Sequence, residues 1–289
     1  MSILNAPCSE TALWRQAGAL TLALLMSAAL APSLAQSQTQ ATCDCKSTLD
    51  KIKEAGVFKA GIRFDSPPMG YVDASGKPAG FGADVAAEFA KRLGVKVEYV
   101  EGTSRTRIPL LLNGSFDAEI GTTSPTVERE KVVDFTIPYF WDSGAILVRK
   151  GDSTNPKDYG APKKIAVTQG SFFIDLYKAI RPDAQFTVFQ EYPDSVAALQ
   201  QKRVDAVLIN RSNAVDFAKQ QPNLVVGGDF VGVPVGIAVR QNDSKWRNWI
   251  NLTLQQMWKD GTYKKLYVKH YGEEPRFYMW SPNQLQPGA

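Results

Sequence analysis

The alternation of strand and helix patterns constrains the fold of this chain more than any other feature of its sequence. Short apolar runs typical of strands alternate with longer runs in which apolar residues recur at helical spacing, as Val85, Phe89 and Leu93 do. A first series comprises a helix at 47–55, a strand at 57–63, a helix at 80–94 and a strand at 96–101. A second series comprises strands at 164–168, 185–189 and 204–210 and helices at 172–180, 194–201 and 212–220. This order predicts two α/β halves, each with a mainly parallel sheet covered by helices.

The remainder of the chain is too short for a third core. A strand is predicted at 233–240, followed by helices at 246–259 and 263–271. We expect these two helices to pack back on the first half, which is the most economical way to bury their apolar faces.

The first 35 residues have the pattern of a cleaved export signal. Arg15 precedes an apolar run at 17–31, and Ser33-Leu34-Ala35 offers small residues at the cleavage positions. No later apolar run approaches the length of about 20 residues that a bilayer span requires. We expect a mature chain that begins at Gln36 and is exported as a soluble protein.

Residues 36–46 are polar, and we expect them to form a flexible tail that carries Cys43 and Cys45. A disulfide within Cys-x-Cys can form in an oxidising compartment, although its ring is strained. Two thiols alone make a poor metal site, and Cys43 lies too far beyond the apolar run to be a lipid anchor. We predict no metal and no cofactor.

The charge of the chain argues against a nucleic-acid partner. Its 33 basic and 29 acidic residues give a net charge of +4, and no run of basic residues is longer than two. The one histidine, His270, lies in a predicted C-terminal helix. Acid/base catalysis by histidine in a cleft is therefore not expected.

The stretch from residue 103 to residue 129 is the strongest candidate for a ligand site. A helix is predicted around Ile108, Leu111 and Leu112, with Arg105 and Arg107 in its first turn. A short strand at 116–120 then leads into the hydroxyl-rich loop Gly-Thr-Thr-Ser-Pro, and Arg129 follows. Ligands of parallel α/β sheets gather beyond the carboxyl ends of strands, where guanidinium, hydroxyl and amide groups together can hold a carboxylate. The alternative is that these arginines are solvated surface charges.

Five segments, in this order along the chain, resemble the periplasmic solute-binding proteins of ABC transporters, in particular the glutamate/aspartate-binding branch of the polar amino-acid family (family 3). They are STLDKIKEAGVFKAGIR, GFGADVAAEFAKRLG, RIPLLLNGSFDAEIGTTSPTVEREKVVDF, VTQGS and RVDAVLIN. The resemblance implies a bilobed periplasmic-binding-protein fold of type II that closes on a small ligand about two crossover segments. The implied crossovers are residues 144–149 and 236–240. They divide the chain into a first lobe of residues 47–146 plus 239–289 and a second lobe of residues 147–238.

The resemblance also implies how one carboxylate of the ligand is held. Arg129 would bind the α-carboxylate, with backbone and hydroxyl contacts from Thr122 and Ser124. The loop with Gly170 and Ser171 would donate amides from the second lobe. The next residue, Phe172, stands where many relatives have threonine, so no hydroxyl contact is expected from it.

The implied side-chain pocket is small and positively charged. Members that bind cationic or amide amino acids usually place aromatic residues at the positions of Ser66 and Ser104. Arg63 and Arg107 stand at positions where the glutamate/aspartate branch also has arginines. Two guanidinium groups in place of two rings complement a second carboxylate.

One position departs from the family pattern. The family uses an aspartate to neutralise the ligand's α-ammonium, and this chain has Asn210 there. Asn210 can still accept a hydrogen bond, and Asp205 or Asp194 could supply charge nearby. The alternative is a dicarboxylate ligand without an ammonium group. Tyr192 stands at the position of a branch histidine, and its contact is left open.

The resemblance implies a monomeric periplasmic protein that captures glutamate or aspartate and delivers it to an ABC-transporter permease, without catalysis. A dehydratase built on the same scaffold is the enzymatic alternative, and it would need a general acid in the cleft. Asp65, Glu191 and Asp194 are the candidates for that acid. A ligand sensor that signals to a membrane receptor is a third hypothesis, which the sequence does not separate from transport.

Overall fold

The computed structural model describes residues 46–275 of the 289-residue chain. The predicted export signal, Cys43, Cys45 and the part of the predicted first lobe after residue 275 lie outside the described residues. Two five-stranded sheets organise the rest, and we call the parts built around them lobe 1 and lobe 2.

The strands, in chain order, are β1 (Val57–Ile62), β2 (Asp65–Ser66), β3 (Gly70–Val72), β4 (Pro78–Ala79), β5 (Lys96–Glu101), β6 (Ala118–Glu119), β7 (Val133–Phe135), β8 (Phe140–Arg149), β9 (Lys164–Thr168), β10 (Gln185–Phe189), β11 (Ala206–Asn210), β12 (Leu224–Val235) and β13 (Ala238–Arg240). The α-helices are α1 (Thr48–Ala55), α2 (Phe81–Leu93), α3 (Arg107–Leu112), α4 (Val127–Glu130), α5 (Phe173–Lys178), α6 (Tyr192–Gln200), α7 (Arg211–Gln220), α8 (Ser244–Lys259) and α9 (Thr262–Tyr271). Within this part of the chain, no helix combines the length and the apolar character that a membrane span requires.

The sheet of lobe 1 has the strand order β5-β1-β6-β13-β7. β5 and β6 run parallel to β1 on its two sides, whereas β13 runs antiparallel to β6 and β7. A small three-stranded antiparallel sheet of β2, β3 and β4 follows β1. The carboxyl ends of β1 and β6 therefore meet at one edge of the main sheet.

Local sequence signals explain the first elements of lobe 1. Ser47 accepts a hydrogen bond from the amide of Leu49 at the start of α1, and Gly56 ends that helix with a positive φ of 68°. On α2, the fully buried Phe81, Val85 and Phe89 follow one another at intervals of four residues. This apolar face packs into the core of lobe 1.

The two C-terminal helices pack on lobe 1. Trp246, Ile250 and Leu254 of α8 are fully buried in the same hydrophobic cluster as Phe58 and Phe81. The indole Nε1 of Trp246 donates to the carbonyl of Asp117 at 2.9 Å, so the polar atom of this buried ring is satisfied.

The sheet of lobe 2 has the order β10-β9-β11-β8-β12. β9, β10 and β11 are parallel, and β8 runs antiparallel to both β11 and β12. Two hydrophobic clusters form the core of this lobe, and both contain residues of the sheet. The predicted two-lobed α/β fold is confirmed.

The positions of the crossovers differ from the prediction. The chain passes between the sheets at residues 136–139 and 236–237. Residues 144–149, predicted as the first crossover, are instead part of β8, which belongs to the lobe 2 sheet from its first residue onward. The second crossover is shorter than predicted because residues 238–240 form β13. The predicted lobe limits stay a prediction.

The long strand β12 was not expected from the sequence. Gly227-Gly228, Gly232 and Pro234 are residues typical of loops. The strand accommodates them through two register irregularities, between Val226 and Asp229 and between Asp229 and Val231. Pairing with β8 over almost its whole length therefore overrides the local preference for a loop.

Candidate functional site

Three arginines of lobe 1 lie close to the carboxyl-terminal edge of its sheet. Arg63 follows β1, Arg107 opens α3 and Arg129 lies in α4. Arg63 and Arg107 are 0% and 3% exposed, which excludes the alternative that they are solvated surface charges. Because β1 and β6 are parallel neighbours, Arg63 and the loop after β6 reach the same edge of the sheet.

Each nitrogen of the Arg63 guanidinium has a hydrogen-bond partner among neighbouring side chains. Its Nε and Nη2 donate to the two carboxylate oxygens of Asp65 at 2.7 and 2.5 Å, and its Nη1 donates to Ser104 Oγ at 2.5 Å. Nη2 also lies 3.5 Å from Oε2 of Glu191 in lobe 2, and the guanidinium carbon lies 5.0 Å from the ring centroid of Tyr192. We call Arg63, Asp65, Ser104 and Glu191 the Arg63 cluster. A carboxylate already occupies the fork of this arginine.

The Arg63 cluster is electrically balanced at neutral pH. Burial lowers the pKa of Arg63, but the Asp65 carboxylate raises it by more, so that the pKa lies above its ordinary value. Against the effect of burial, Arg63 lowers the pKa of Asp65. Burial and the neighbouring Asp65 raise the pKa of Glu191 to about 8. One guanidinium charge is thus matched by one carboxylate charge, with Glu191 mostly protonated.

Arg107 is buried with donors that remain free among the described residues. Its Nε and Nη1 have no hydrogen-bond partner there, and its Nη1 lies 4.0 Å from Oε1 of the buried Glu119. The side chain of Thr123 faces the Glu119 carboxyl and opposes the rise of its pKa. Burial lowers the pKa of Arg107 and raises the pKa of Glu119, while the two charges oppose these shifts. We call these residues the Arg107–Glu119 pair.

Arg129 connects the two lobes. Its Nη1 donates to the carbonyl of Ser124 at 2.8 Å, and its Nη2 donates to the carbonyl of Gly170 in lobe 2 at 3.3 Å. Its guanidinium carbon lies 5.3 Å from the ring centroid of Phe172. Burial and the positive charge of Arg107 lower the pKa of Arg129 to about 9. An anion placed here would offset both unfavourable effects.

The loop after β6 presents buried hydroxyl groups. Thr122, Thr123 and Ser124 are 4%, 0% and 2% exposed. Over the described range, Ser124 Oγ has no hydrogen-bond partner, whereas the hydroxyl of Thr123 faces the Glu119 carboxyl. A buried hydroxyl without a partner is costly, so Ser124 is poised to contact a polar ligand.

The loop of Gly170 and Ser171 approaches lobe 1 closely. Gly170 has a positive φ of 79°, and a Cβ atom at this position would lie 2.7 Å from the carbonyl oxygen of Ser104. Ser171 Oγ accepts a hydrogen bond from the amide of Phe173 at 3.3 Å, so it acts within its own loop. Phe172 offers no hydroxyl group, as its side chain requires, and its ring lies beside Arg129.

Asn210, at the end of β11, links a tyrosine to a carboxylate. Its Oδ1 accepts from the hydroxyl of Tyr192 at 3.0 Å, and its Nδ2 donates to Oδ2 of Asp142 at 3.2 Å. Burial raises the pKa of Asp142 to about 6, against the hydrogen bonds that it accepts. The acidic group beside Asn210 is therefore Asp142 of β8.

The prediction that Asp205 or Asp194 supplies a negative charge beside Asn210 was wrong. Asp205 precedes β11 at the end opposite Asn210, where it accepts from the amide of Lys164 at 2.8 Å. Asp194 is exposed on α6. Strand pairing decides this point, because antiparallel β8 carries Asp142 past the end of β11.

The structure brings most of the predicted site residues together in two groups. Hydrogen bonds and ring contacts join Arg63 to Ser104 and Tyr192, and Tyr192 in turn to Asn210. A second group joins Arg129 to Ser124 and Gly170. The predicted ligand contacts of these residues, and of Arg107, Thr122 and Ser171, stay predictions.

Sequence reasoning missed the roles of three acidic residues. Asp65 was considered only as a catalytic acid, although alternate residues of an extended segment share one side and Arg63 precedes it by two. Glu119 is a carboxylate within a short apolar strand, which signals a buried charge. No sequence pattern indicates Asp142, since its contact with Asn210 depends on pairing across sheet strands.

The sequence of this chain is similar to those of known solute-binding proteins. The model of the bacterial extracellular solute-binding proteins, family 3, matches residues 58–273. The glutamine-binding protein of an ABC transporter from Bacillus subtilis is 32% identical over 236 residues, which are 80% of this chain and 86% of that protein. An L-glutamate/L-aspartate-binding protein from Pseudomonas aeruginosa is 30% identical over 242 residues, which are 78% of this chain and 80% of that protein.

A solved structure agrees with these relatives. The ancestral amino acid-binding protein AncCDT-1, described as a precursor of cyclohexadienyl dehydratase, is 35% identical and superposes with a TM-score of 0.72. The match covers 78% of this chain and 100% of that structure.

Proposed function

We propose an acidic amino acid as the ligand of this chain, which belongs to the bacterial extracellular solute-binding proteins of family 3. At the level of the family, its function is to bind an amino acid outside the cytoplasm for an ABC transporter. The proposal concerns the chemical class of the amino acid, which relatives with glutamine and glutamate/aspartate in their names leave open.

The observation that carries the proposal is the state of Arg107. This guanidinium is 3% exposed, and within residues 46–275 its Nε and Nη1 have no hydrogen-bond partner. Leaving a buried charged donor unsatisfied is more costly than leaving a neutral one. A ligand carboxylate would accept a charge-assisted hydrogen bond from one of these N–H groups, whereas a neutral amide oxygen would satisfy it more weakly.

The second carboxylate of such a ligand fits the other end of the stretch 103–129. Arg129 already spans from Ser124 to Gly170, and its lowered pKa reflects an environment that favours a nearby anion. The buried hydroxyl of Ser124, which lacks a partner in the described part of the chain, is available to the same group. Two anion subsites in one cleft favour a ligand with two carboxylates.

A dicarboxylate without an ammonium group is the second candidate, and the observation that favours it is Asn210. A neutral amide stands where the family has a carboxylate, and both of its polar atoms are engaged by Tyr192 and Asp142. The two candidates share the anion subsites and differ only in the ammonium.

Calorimetry on the exported protein tests the ligand class. Titrations with L-glutamate, L-aspartate, L-glutamine, L-arginine and succinate should give binding only, or most tightly, with the acidic amino acids. Arg107→Met should abolish that preference, and Arg105→Met is the matched control because Arg105 is an exposed arginine two residues away. Tightest binding of glutamine or arginine would contradict the proposal.

An enzymatic role on this scaffold has one feature in its favour. Glu191 has its pKa raised to about 8, as a general acid requires, whereas Asp65 is held ionised by Arg63 and Asp194 is exposed. Incubation with a cyclohexadienyl substrate would test it, and the transport proposal expects no product.

Genes for a permease and an ATPase beside the gene of this protein would favour transport over sensing.

We also propose that the protein is periplasmic and monomeric, exported with cleavage after Ala35. Mass spectrometry of the exported protein should give a chain that begins at Gln36, and its elution volume should match one copy. A retained N-terminus would contradict the cleavage.

A further inference from the structure

The side-chain amide of Asn210 lies between Asp142 on one side and Tyr192 on the other. It is 4% exposed, its Nδ2 donates to Asp142 and its Oδ1 accepts from Tyr192. An amide oxygen has two lone pairs, so Oδ1 can accept a second donor besides the tyrosine. Tyr192 in turn lies against Arg63, which marks this side of the amide as the cleft side.

Asp142 is satisfied by hydrogen bonds but has no counter-charge. It accepts from the amide of Ser143 at 2.8 Å, from the hydroxyl and the amide of Ser212 at 2.6 and 3.3 Å, and from Asn210 at 3.2 Å. All four donors are neutral, and Arg211, which lines the same groove, pairs with Asp229 instead. Asp142 is half-buried, so solvent screens its charge less than it would screen that of a fully exposed carboxylate.

We propose that Asp142 is a specificity-determining residue that supplies, through Asn210, the negative charge for the ammonium group of the ligand. This inference rests on the proposed function in assuming that the ligand of the cleft is an amino acid. It assigns the counter-charge to a different strand from the family's aspartate position, and it makes Asn210 a relay between β8 and the ligand.

The chain of contacts gives this arrangement a physical basis. Hydrogen bonds in series polarise one another, so a carboxylate accepting from Nδ2 makes Oδ1 a better acceptor for an ammonium N–H. The charge of Asp142 also acts directly on the ammonium across a weakly screened distance. Asp142 does not touch the ligand and is therefore a positioning residue.

The hydrogen bonds that Asp142 accepts from Ser212, Ser143 and Asn210 favour its ionised form. Asp142 lines a groove of about 410 Å³ between α7 and the end of α9, together with the charged and titratable groups Arg211, Asp216, Lys219, His270, Tyr271 and Glu273. Arg211 pairs with Asp229 at 2.6 Å and His270 with Asp84 at 2.6 Å, so neither is committed to Asp142. Tyr192 faces it from α6 through Asn210. Because burial raises the pKa of Asp142 to about 6, its charge is lost below that pH.

The experiment compares each amino acid with the same molecule lacking its ammonium group. Dissociation constants of L-glutamate and glutarate, and of L-glutamine and glutaramate, are measured by calorimetry at pH 7.5 and pH 5. The proteins are the wild type, Asp142→Asn and Ser212→Ala, the last of which removes a hydrogen bond to Asp142 but keeps its charge. Use of both ligand pairs separates this inference from the proposed function, because the second pair reports on the ammonium even if the ligand is an amide.

We expect Asp142→Asn to reduce the preference for the amino acid over its deaminated partner about tenfold at pH 7.5, the difference between a charged and a neutral hydrogen bond. The wild type should lose the same preference between pH 7.5 and pH 5, and the variant should not. Ser212→Ala should retain the preference at pH 7.5.

An equal loss for both members of a pair in Asp142→Asn would mean that Asp142 is only structural, and would overturn the inference. An unchanged preference, or no binding of any amino acid by the wild type, would overturn it as well. Binding of glutamine but not glutamate, with the preference lost in Asp142→Asn, would support the inference while refuting the acidic ligand.

Discussion

The Arg63 cluster and the Arg107–Glu119 pair place two buried guanidinium groups in one lobe in opposite electrostatic states. Arg63 donates to Asp65 and Ser104 through its whole fork, whereas Arg107 has a carboxylate only at 4.0 Å. To bind a ligand carboxylate through its fork, Arg63 must first release Asp65. Arg107 has N–H groups that are free within residues 46–275 and need not release a partner. The comparison shows that the residue type alone does not determine which arginine binds an anion.

The two regions also differ in what they hold together. The Arg63 cluster extends across the cleft, with Asp65 accepting from the amide of Tyr192 at 3.4 Å and Arg63 lying 3.5 Å from Glu191. The Arg107–Glu119 pair lies wholly within lobe 1. We therefore expect Arg63 to stabilise the contact between lobes and Arg107 to determine the ligand.

Replacement of Arg107 should have the largest effect. Arg107→Met removes a charge-assisted hydrogen bond to the ligand, worth up to about 3 kcal/mol, so affinity for an acidic amino acid should fall up to about 100-fold. The fold should also be destabilised, by up to roughly 3 kcal/mol, because Glu119 is left buried without its opposite charge. Calorimetry and thermal unfolding measure the two effects.

The double variant Arg107→Met with Glu119→Gln separates those effects. It should recover the thermal stability of the wild type but not its affinity for the ligand. Retention of affinity in the single variant would mean that Arg107 does not contact the ligand.

Replacement of Arg63 should weaken binding less, by about tenfold. Arg63→Met removes the contacts with Glu191 and leaves Asp65 unpaired, which disfavours the arrangement with the lobes in contact. Adding Asp65→Asn should restore stability because it removes the unpaired charge. If Arg63→Met costs as much affinity as Arg107→Met, the Arg63 fork contacts the ligand directly and the contrast between the two regions fails.

Removal of Asp65 alone should have a smaller effect in the opposite direction. Asp65→Asn releases the fork of Arg63, which would then attract a ligand carboxylate, and affinity for acidic ligands should rise about fivefold. Asp73→Asn is the matched control, since Asp73 is an acidic residue of the neighbouring loop whose hydrogen bonds stay within that loop. Weaker binding in Asp65→Asn would show that the carboxylate orients Arg63 for the ligand.

The smallest expected effect is a change in the pH dependence of stability. The folded-state pKa of Glu191 is raised to about 8, so its folded form holds a proton that the unfolded form releases near pH 4.5. The stability from this group is complete below that ordinary pKa and is lost as the pH rises through about 8. The Tm of the wild type should therefore fall between pH 6 and pH 9, and that of Glu191→Gln should fall less.

Asp65 provides the control for that measurement. Its pKa is lowered in the folded state, so its contribution is present above its ordinary pKa and is lost as the pH falls below about 4. This acid limb should persist in Glu191→Gln, because a glutamine amide can donate to Asp65 in place of the protonated Glu191 carboxyl. An unchanged alkaline slope in the variant would mean that Glu191 is already ionised at neutral pH.

Much of the fold could be predicted from the sequence because its elements have strong local signals. The helix α2 carries a buried apolar face at helical spacing, and Gly94 ends it with a positive φ of 71°. The parallel strands β1 and β9 are short apolar runs bounded by turns. β12 could not be predicted, because its glycines and proline favour loops and only pairing with β8 holds it extended.

By itself, the sequence determined the alternation of strands and helices, the two α/β halves and the gathering of Arg63, Arg107 and Arg129 at the ends of elements in the first half. These features follow from apolar periodicity and from the rule that parallel strands end at one edge of a sheet. Only the tertiary structure decided which guanidinium is matched and which charge stands behind Asn210. A carboxylate acts over a few ångströms, and whether Asp65, Glu119 or Asp142 lies within that range depends on strand pairing and on the contact between the lobes.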